Sequence, residues 1–229
     1  MTVLRIVCVS DTHCQLDKIK MPDGDILLHS GDFTMNGNLH EVSKEIGIFG
    51  KFPHTYKICC VGNHDFFFER YPKEAKQLCV DNGVIYLESE SIIIEGIKFY
   101  GSSYSKWFYD WAFNLKKDGS NTKEHWAKIP LDTNVLITHG PAYGILDRVL
   151  RGENVGCPEI RQKIEFDLPE LLLFQFGHIH LNGGKTEVVN NVWCANASIC
   201  DERYATTNKP ILFDLNTETK SIIQVFEDD

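Results

Sequence analysis

Eight side chains at five places in the sequence are of the kinds that divalent metals choose. They are Asp11 and His13 in "DTH", Asp32 in "GD", Asn63 and His64 in "GNHD", His139 in "HGP", and His178 and His180 in "GHIH". Carboxylate oxygen, amide oxygen and imidazole nitrogen suit borderline divalent ions, and no thiolate stands among them. One ion takes about four to six donors, so this many points to two ions. An aspartate can bridge two ions with its two oxygens. Asp32 suits that role, because Gly31 before it lets the backbone come close in a tight turn. Taken singly, each piece has an ordinary explanation: aspartate after a strand is commonly a turn residue, and a lone histidine a hydrogen-bonded bystander. Five such coincidences at equivalent places are a different matter.

The places are equivalent because each follows a short β-rich apolar run. "VLRIVCVS" leads into Asp11, "DILLHS" into Asp32, "YKICCV" into Asn63, "NVLIT" into His139 and "LLLFQF" into His178. In "GHIH", alternation at the strand end predicts both imidazoles on one side. Helix-type segments lie between the early strands: "NLHEVSKEIGIFGKF", with Asn38 as N-cap, and "YPKEAKQLCVDNG", with an Asn-Gly stop. Near-continuous apolar strands alternating with helices predict a mostly parallel, helix-covered sheet. Later, "SIIIEGIKFYGSS", "GKTEVVNNVWCANAS" and "KPILFDLNTETKSIIQVF" each place a turn between two extended runs, as hairpins do. The expectation is α/β, with two mixed sheets face to face and helices outside. In such folds ligands bind beyond the carboxyl ends of the strands, where all five clusters fall.

Composition narrows the class. The 229 residues carry 32 Asp+Glu against 23 Lys+Arg, a net charge of −9, which argues against a duplex nucleic-acid partner. No run approaches the roughly 20 apolar residues of a membrane span. The eight cysteines form no CxxC pair and sit in apolar strands, as buried free thiols of a cytoplasmic protein do. Cys14 and Cys200 read as rim residues of the site. His29 reads as a support behind the metal ligands, and His40, His54 and His125 as solvated. In "GSSYSKWFYDWAFN", most rings are expected to form an amphipathic cap on the core, with Trp107 a candidate for stacking on a substrate base. "FFFER" is expected to turn inward. With no linker or repeat, residues 1–229 read as a single domain.

The order DxH, GD, GNHD, THGP and GHIH over residues 11–180 resembles the calcineurin-like metallophosphoesterases. Longer stretches, among them "DILLHSGDFT", "YKICCVGNHD", "ITHGPAYGILD" and "TNKPILFDL", resemble the metallophosphoesterase-domain-containing group related to brain-expressed vertebrate proteins. The resemblance implies a four-layer αββα sandwich and a specific division of ligands. Asp11, His13, Asp32 and His180 would hold one ion; Asp32, Asn63, His139 and His178 the other. Mn²⁺ is favoured, with Fe, Zn, Mg, Co or Ni as alternatives. His64 would be the general acid beside the leaving group, oriented by Asp65 or by a backbone carbonyl. Asn63, His64, His178 and Trp107 would contact substrate.

Departures from the pattern matter. Protein phosphatases of this superfamily carry "GDxxDRG", whereas this chain has Met35 and Asn36 where the second aspartate and the arginine would stand. Some vertebrate members of the nearer group have glycine for the first histidine of GHxH and resemble weak nucleotide-holding enzymes; here His178 is present. The implied activity is phosphodiester hydrolysis on a small nucleotide-type or cyclic-nucleotide substrate, by hydroxide held between two ions. A phosphomonoesterase and a nucleotide-binding scaffold are the alternatives.

Overall fold

The computed structural model describes residues 2–226. Two six-stranded sheets carry the chain. In the first, β1 (Val3–Val9), β2 (Ile26–Ser30), β3 (Tyr56–Cys60) and β4 (Ile85–Tyr86) run parallel; β11 (Ile211–Asn216) and β12 (Ser221–Val225) extend it antiparallel beyond β1. In the second, β6 (Ile97–Ser102), β7 (Val135–Thr138), β8 (Leu173–Phe176) and β10 (Val192–Asn196) run parallel. Antiparallel strands β5 (Glu90–Ile94) and β9 (Lys185–Val189) form its two edges. The three predicted hairpins are therefore β5–β6, β9–β10 and β11–β12.

Helices cover the outer faces. α1 (Leu39–Lys51), α2 (Phe66–Arg70) and α3 (Pro72–Asp81) lie on the first sheet; α4 (Thr122–Trp126) and α5 (Pro158–Gln162) lie on the second. Asn38 caps α1: its side chain accepts from the Glu41 amide at 3.0 Å, while its own amide donates to the Glu41 carboxylate at 2.8 Å. Pro72 opens α3, and Gly83 in the left-handed region follows its end.

Three apolar layers result. Ile6, Leu28, Ile58, Phe99, Ile137 and Leu173 fill the space between the sheets. Phe33, Ile46, Phe49 and Phe68 pack under the first set of helices, and Trp126, Ile160, Phe174 and Phe176 under the second. Strands buried on both faces need no alternation, which is why β2 and β7 read as continuous apolar runs. Phe67 and Phe68 of "FFFER" do turn inward.

Several side chains lie elsewhere than expected. His54 and His125 are buried rather than solvated, while His40 is exposed. α4 carries His125 against the second sheet, where its Nε2 sits 2.9 Å from the Ser102 hydroxyl and its ring packs on Tyr104 and Trp126. All eight cysteines are free, and Cys200 is buried rather than at a rim, with Cys14 half-buried. No helix among the described residues is long and apolar enough to cross a membrane.

Candidate metal centre

All five clusters lie at the carboxyl ends of β1, β2, β3, β7 and β8, and the two sheets bring them together. Donor atoms of Asp11, His13 and His180 lie within 4.8 Å of one another, as do those of Asp32, His139 and His178. Asp32 also meets His13 and His64 within the same limit, so its carboxylate stands between the two groups. Its Oδ2 is 3.4 Å from His139 Nε2 and 3.8 Å from His13 Nε2. Asn63 Oδ1 lies 2.9 Å from His139 Nε2, and Asp11 Oδ1 lies 3.3 Å from His180 Nε2.

The imidazoles are oriented from behind. His13 Nδ1 lies 3.1 Å from the Thr34 carbonyl, His139 Nδ1 3.0 Å from Ser30 O, and His180 Nδ1 2.9 Å from Asp201 O. Carbonyls only accept, so each Nδ1 carries a proton and each Nε2 faces inward, where its lone pair becomes available to an ion once any Nε2 proton is released. Metal-ligating histidines are held in this way, and the donor set fits a pair of divalent ions.

Local backbone pays for the convergence. Asp11, His13, Asp32 and His178 all have φ between 43° and 68°, the left-handed region that non-glycine residues seldom adopt. His178 therefore reaches the site from a turn, not by strand alternation: β8 stops at Phe176, and the Ile179 amide bonds back to Gly177 O. His178 and His180 still face the site, one toward His139 and the other toward His13. Gly177 is required here, since a Cβ would collide with the Asp11 carboxylate and the Ser10 hydroxyl. Gly31, at φ 109°, leaves the same kind of room for His139.

Electrostatics follow from the crowding. Burial alone would raise the Asp11 carboxyl, but the hydrogen bond and charge of His180, with His139 and His13, hold it well below the usual range. Asp32 is likewise held low against burial by His139, His64 and His13. Burial opposes protonation of His139 and His180, yet Asp32 and Asp11 respectively raise them to about 9. Burial and the neighbouring His139 push His178 down to about 4. In the absence of ions, the histidine protons offset the buried carboxylates.

His64 stands beside this centre, its Nε2 3.9 Å from Asp32 Oδ2. Its Nδ1 lies 2.7 Å from Met35 O, so a backbone carbonyl orients the ring. Asp65 does not. Its carboxylate accepts from the amides of Gly62, Phe33 and Thr34 and from the Thr34 hydroxyl at 2.7–3.2 Å. It braces the β2 and β3 loops against each other, and burial followed by the Asp32 charge raises it to about 6. His29 is the expected support: its Nε2 meets the Thr12 hydroxyl at 3.0 Å and its Nδ1 accepts from the Gly31 amide.

The aromatic stretch is an irregular loop rather than an amphipathic cap. Phe113 enters the core with Tyr104 against it, but Trp107, Phe108 and Tyr109 line a pocket of about 750 Å³ over the centre. Lys117 covers the Trp107 ring at 4.3 Å, and it is Phe108 that meets His178 edge-on, at 5.4 Å. Two further rings meet the site histidines. Trp111 stacks on His64 at 4.2 Å, and Tyr204 lines the pocket with its ring edge-on to His13 at 4.7 Å. A tyrosine in a polar turn such as "DERYATT" carries no mark of such a place.

Comparison with known proteins accords with this geometry. A family model described as calcineurin-like phosphoesterase matches residues 4–182. Metallophosphoesterase domain-containing protein 1 of Homo sapiens is 37% identical, the match covering 95% of this chain and 72% of that protein. A UPF0046 protein of Caenorhabditis elegans is 34% identical, over 95% of this chain and 77% of its own length. Among solved structures, phosphopantetheinyl hydrolase from Mycobacterium tuberculosis is similar with a TM-score of 0.57 at 14% identity, covering 97% of this chain and 96% of that one. The TT1561 protein of Thermus thermophilus gives 0.62 at 13%, covering 98% and 99%. At such identities the likeness is one of fold, and the relatives and the family model together carry the assignment: this chain belongs to the calcineurin-like phosphoesterase family.

Proposed function

We propose that the protein is a two-metal phosphodiesterase acting on small nucleotide-type or cyclic-nucleotide esters, with Mn²⁺ as the favoured ion. The observation that carries this reading is the complete donor set, Asp11, His13, Asp32, Asn63, His139, His178 and His180, with three Nδ1 protons tied to carbonyls. A pair of divalent ions, when bound, supplies charge neutralisation for the phosphate and an activated water. Residues from Asp11 to His180 build the centre, which supports reading the chain as one catalytic domain.

His64 donates the proton. With Nδ1–H fixed to Met35 O, the imidazolium presents Nε2–H toward the centre, and after transfer the ring remains as the Nδ1–H tautomer on the same carbonyl. Asn63 and His178 flank the phosphate position. The pocket, lined by Trp107, Phe108 and Tyr109 and by Val149, Leu150 and Val155 beside the donor residues, supports a substrate larger than a bare phosphate. The missing arginine at Asn36 argues against a phosphoprotein substrate.

The test pairs metal content with activity. Purified protein is analysed for bound metal, then assayed with added Mn²⁺ on bis-p-nitrophenyl phosphate and on p-nitrophenyl phosphate, as wild type and His64→Ala. Two ions per chain and faster diester cleavage are expected. The variant should lose about 10²–10⁴-fold, more on an alkyl ester, whose leaving group needs the proton, than on a nitrophenyl one. Preference for the monoester would make the protein a phosphomonoesterase, and metal binding without hydrolysis would favour the scaffold reading.

A further inference from the structure

β8 carries the chain into the GHIH loop, and its side chains alternate. Phe174 and Phe176 face the helices outside the second sheet, while Leu173 faces the layer between the sheets. Gln175 shares the side of Leu173 and is fully buried. Its surroundings there are apolar, so an amide is costly unless it is bonded. The bonds cross to the other sheet. Gln175 Nε2 donates to Val9 O at 2.9 Å and lies 3.3 Å from Leu28 O and 3.4 Å from the Ser30 hydroxyl.

The places it reaches are specific. Val9 ends β1 two residues before Asp11, and Ser30 ends β2 two residues before Asp32. Val9–His29 is the last paired position between those strands, so the amide docks where β1 and β2 stop pairing and their donor loops part. Gln175 itself stands three residues before His178. The donor set is divided in the same way: Asp11, His13, Asp32 and Asn63 come from the first sheet, and His139, His178 and His180 from the second.

We propose that Gln175 is a positioning residue for the metal pair, a tie between the sheets that fixes the separation of the two halves of the donor set. This rests on the two-ion reading above. Gln175 Oε1 has no partner among the described residues, and a buried unpartnered acceptor lowers stability. A methionine of similar shape removes that acceptor and the Nε2 donor together, so the metal site and not stability is where loss of the tie is read.

The test uses Gln175→Met, with Gln175→Asn, which keeps an amide one methylene too short, as the second variant should the first not fold. Ile97→Val, in the same layer away from the centre, is the control for general core loosening. Each is titrated with Mn²⁺ alone, following stoichiometry and affinity by calorimetry and exchange coupling between the ions by electron paramagnetic resonance. Metal-free Gln175→Met should fold and, with the Val9 carbonyl left without its donor, melt below the wild type, as the control does. It should bind the second ion up to about 10-fold more weakly, at the low end for a group one step removed from the ligands, with the coupled-pair signal replaced by isolated Mn²⁺. Ile97→Val should melt lower and keep the coupled signal. Wild-type affinity and coupling in Gln175→Met would overturn the inference and leave the two-ion reading intact. Absence of a coupled pair in the wild type would overturn both.

Discussion

The indole of Trp111 lies over the imidazole of His64, ring centroids 4.2 Å apart and planes 34° from parallel. With Met35 O on Nδ1 and His13 packed edge-on at 4.8 Å, the ring is held on three sides. Trp111→Ala should leave metal content unchanged and lower kcat by up to about 10²-fold, because a displaced proton donor no longer meets the leaving oxygen. KM should move much less. A Trp111→Ala enzyme with wild-type kcat would show that the stacking does no orienting.

Asp65 predicts the opposite balance. Removing its carboxylate strands the buried amides of Gly62, Phe33 and Thr34, at roughly 1–3 kcal/mol for each donor left without a partner. Asp65→Ala should therefore lower the unfolding free energy by several kcal/mol and release metal as the two loops lose their brace. Asp65→Asn keeps an acceptor oxygen and should be milder. Denaturant titration of both, with metal analysis, separates this bracing role from direct participation in proton transfer.

Metal removal should cost stability as well as activity. Ions that bind only the folded centre stabilise it by mass action, about 2.7 kcal/mol at a hundredfold excess over Kd. Chelation should lower Tm, and added Mn²⁺ should restore it in a concentration-dependent way. A Tm indifferent to both, by scanning calorimetry, would argue against ion binding at this centre.

His125 gives a pH dependence remote from the metal ligands. Burial, with a smaller contribution from Lys128, pushes its pKa down to about 4, below the ordinary 6.5 of an unfolded chain. The unfolded state then takes up a proton that the folded state refuses. Stability is therefore intact above pH 6.5 and falls as pH drops toward about 4, by up to about 1.4 kcal/mol per pH unit across that window. His125→Gln, which can still bond Ser102, should flatten this part of the profile. The comparison is of unfolding free energies between pH 7 and pH 4.5 in chelated protein.

The donors, and the strand ends that carry them, follow from residue type and order along the chain. Carboxylate, amide and imidazole are chemical types that can be read from letters. A buried parallel strand is a short apolar run, so the polar residues immediately after it mark the carboxyl edge of the sheet. Helix α1 was legible from Asn38 and Glu41 for the same local reason, and the hairpins from their turns.

Contacts between residues far apart in the chain come from packing and leave no mark in local pattern. Backbone carbonyls such as Ser30, Met35 and Asp201 orient the histidines, and a carbonyl has no residue-type signature. Trp111 reaches His64, and Gln175 reaches Val9, only because the two sheets stack at one separation. Asp65 follows His64 directly yet turns to the amides of another loop, and His125 is buried by its docking on the second sheet. Local pattern specifies which groups can do chemistry; packing across 100 or more residues specifies which atoms face them, because that depends on distances between sheets that no short stretch encodes.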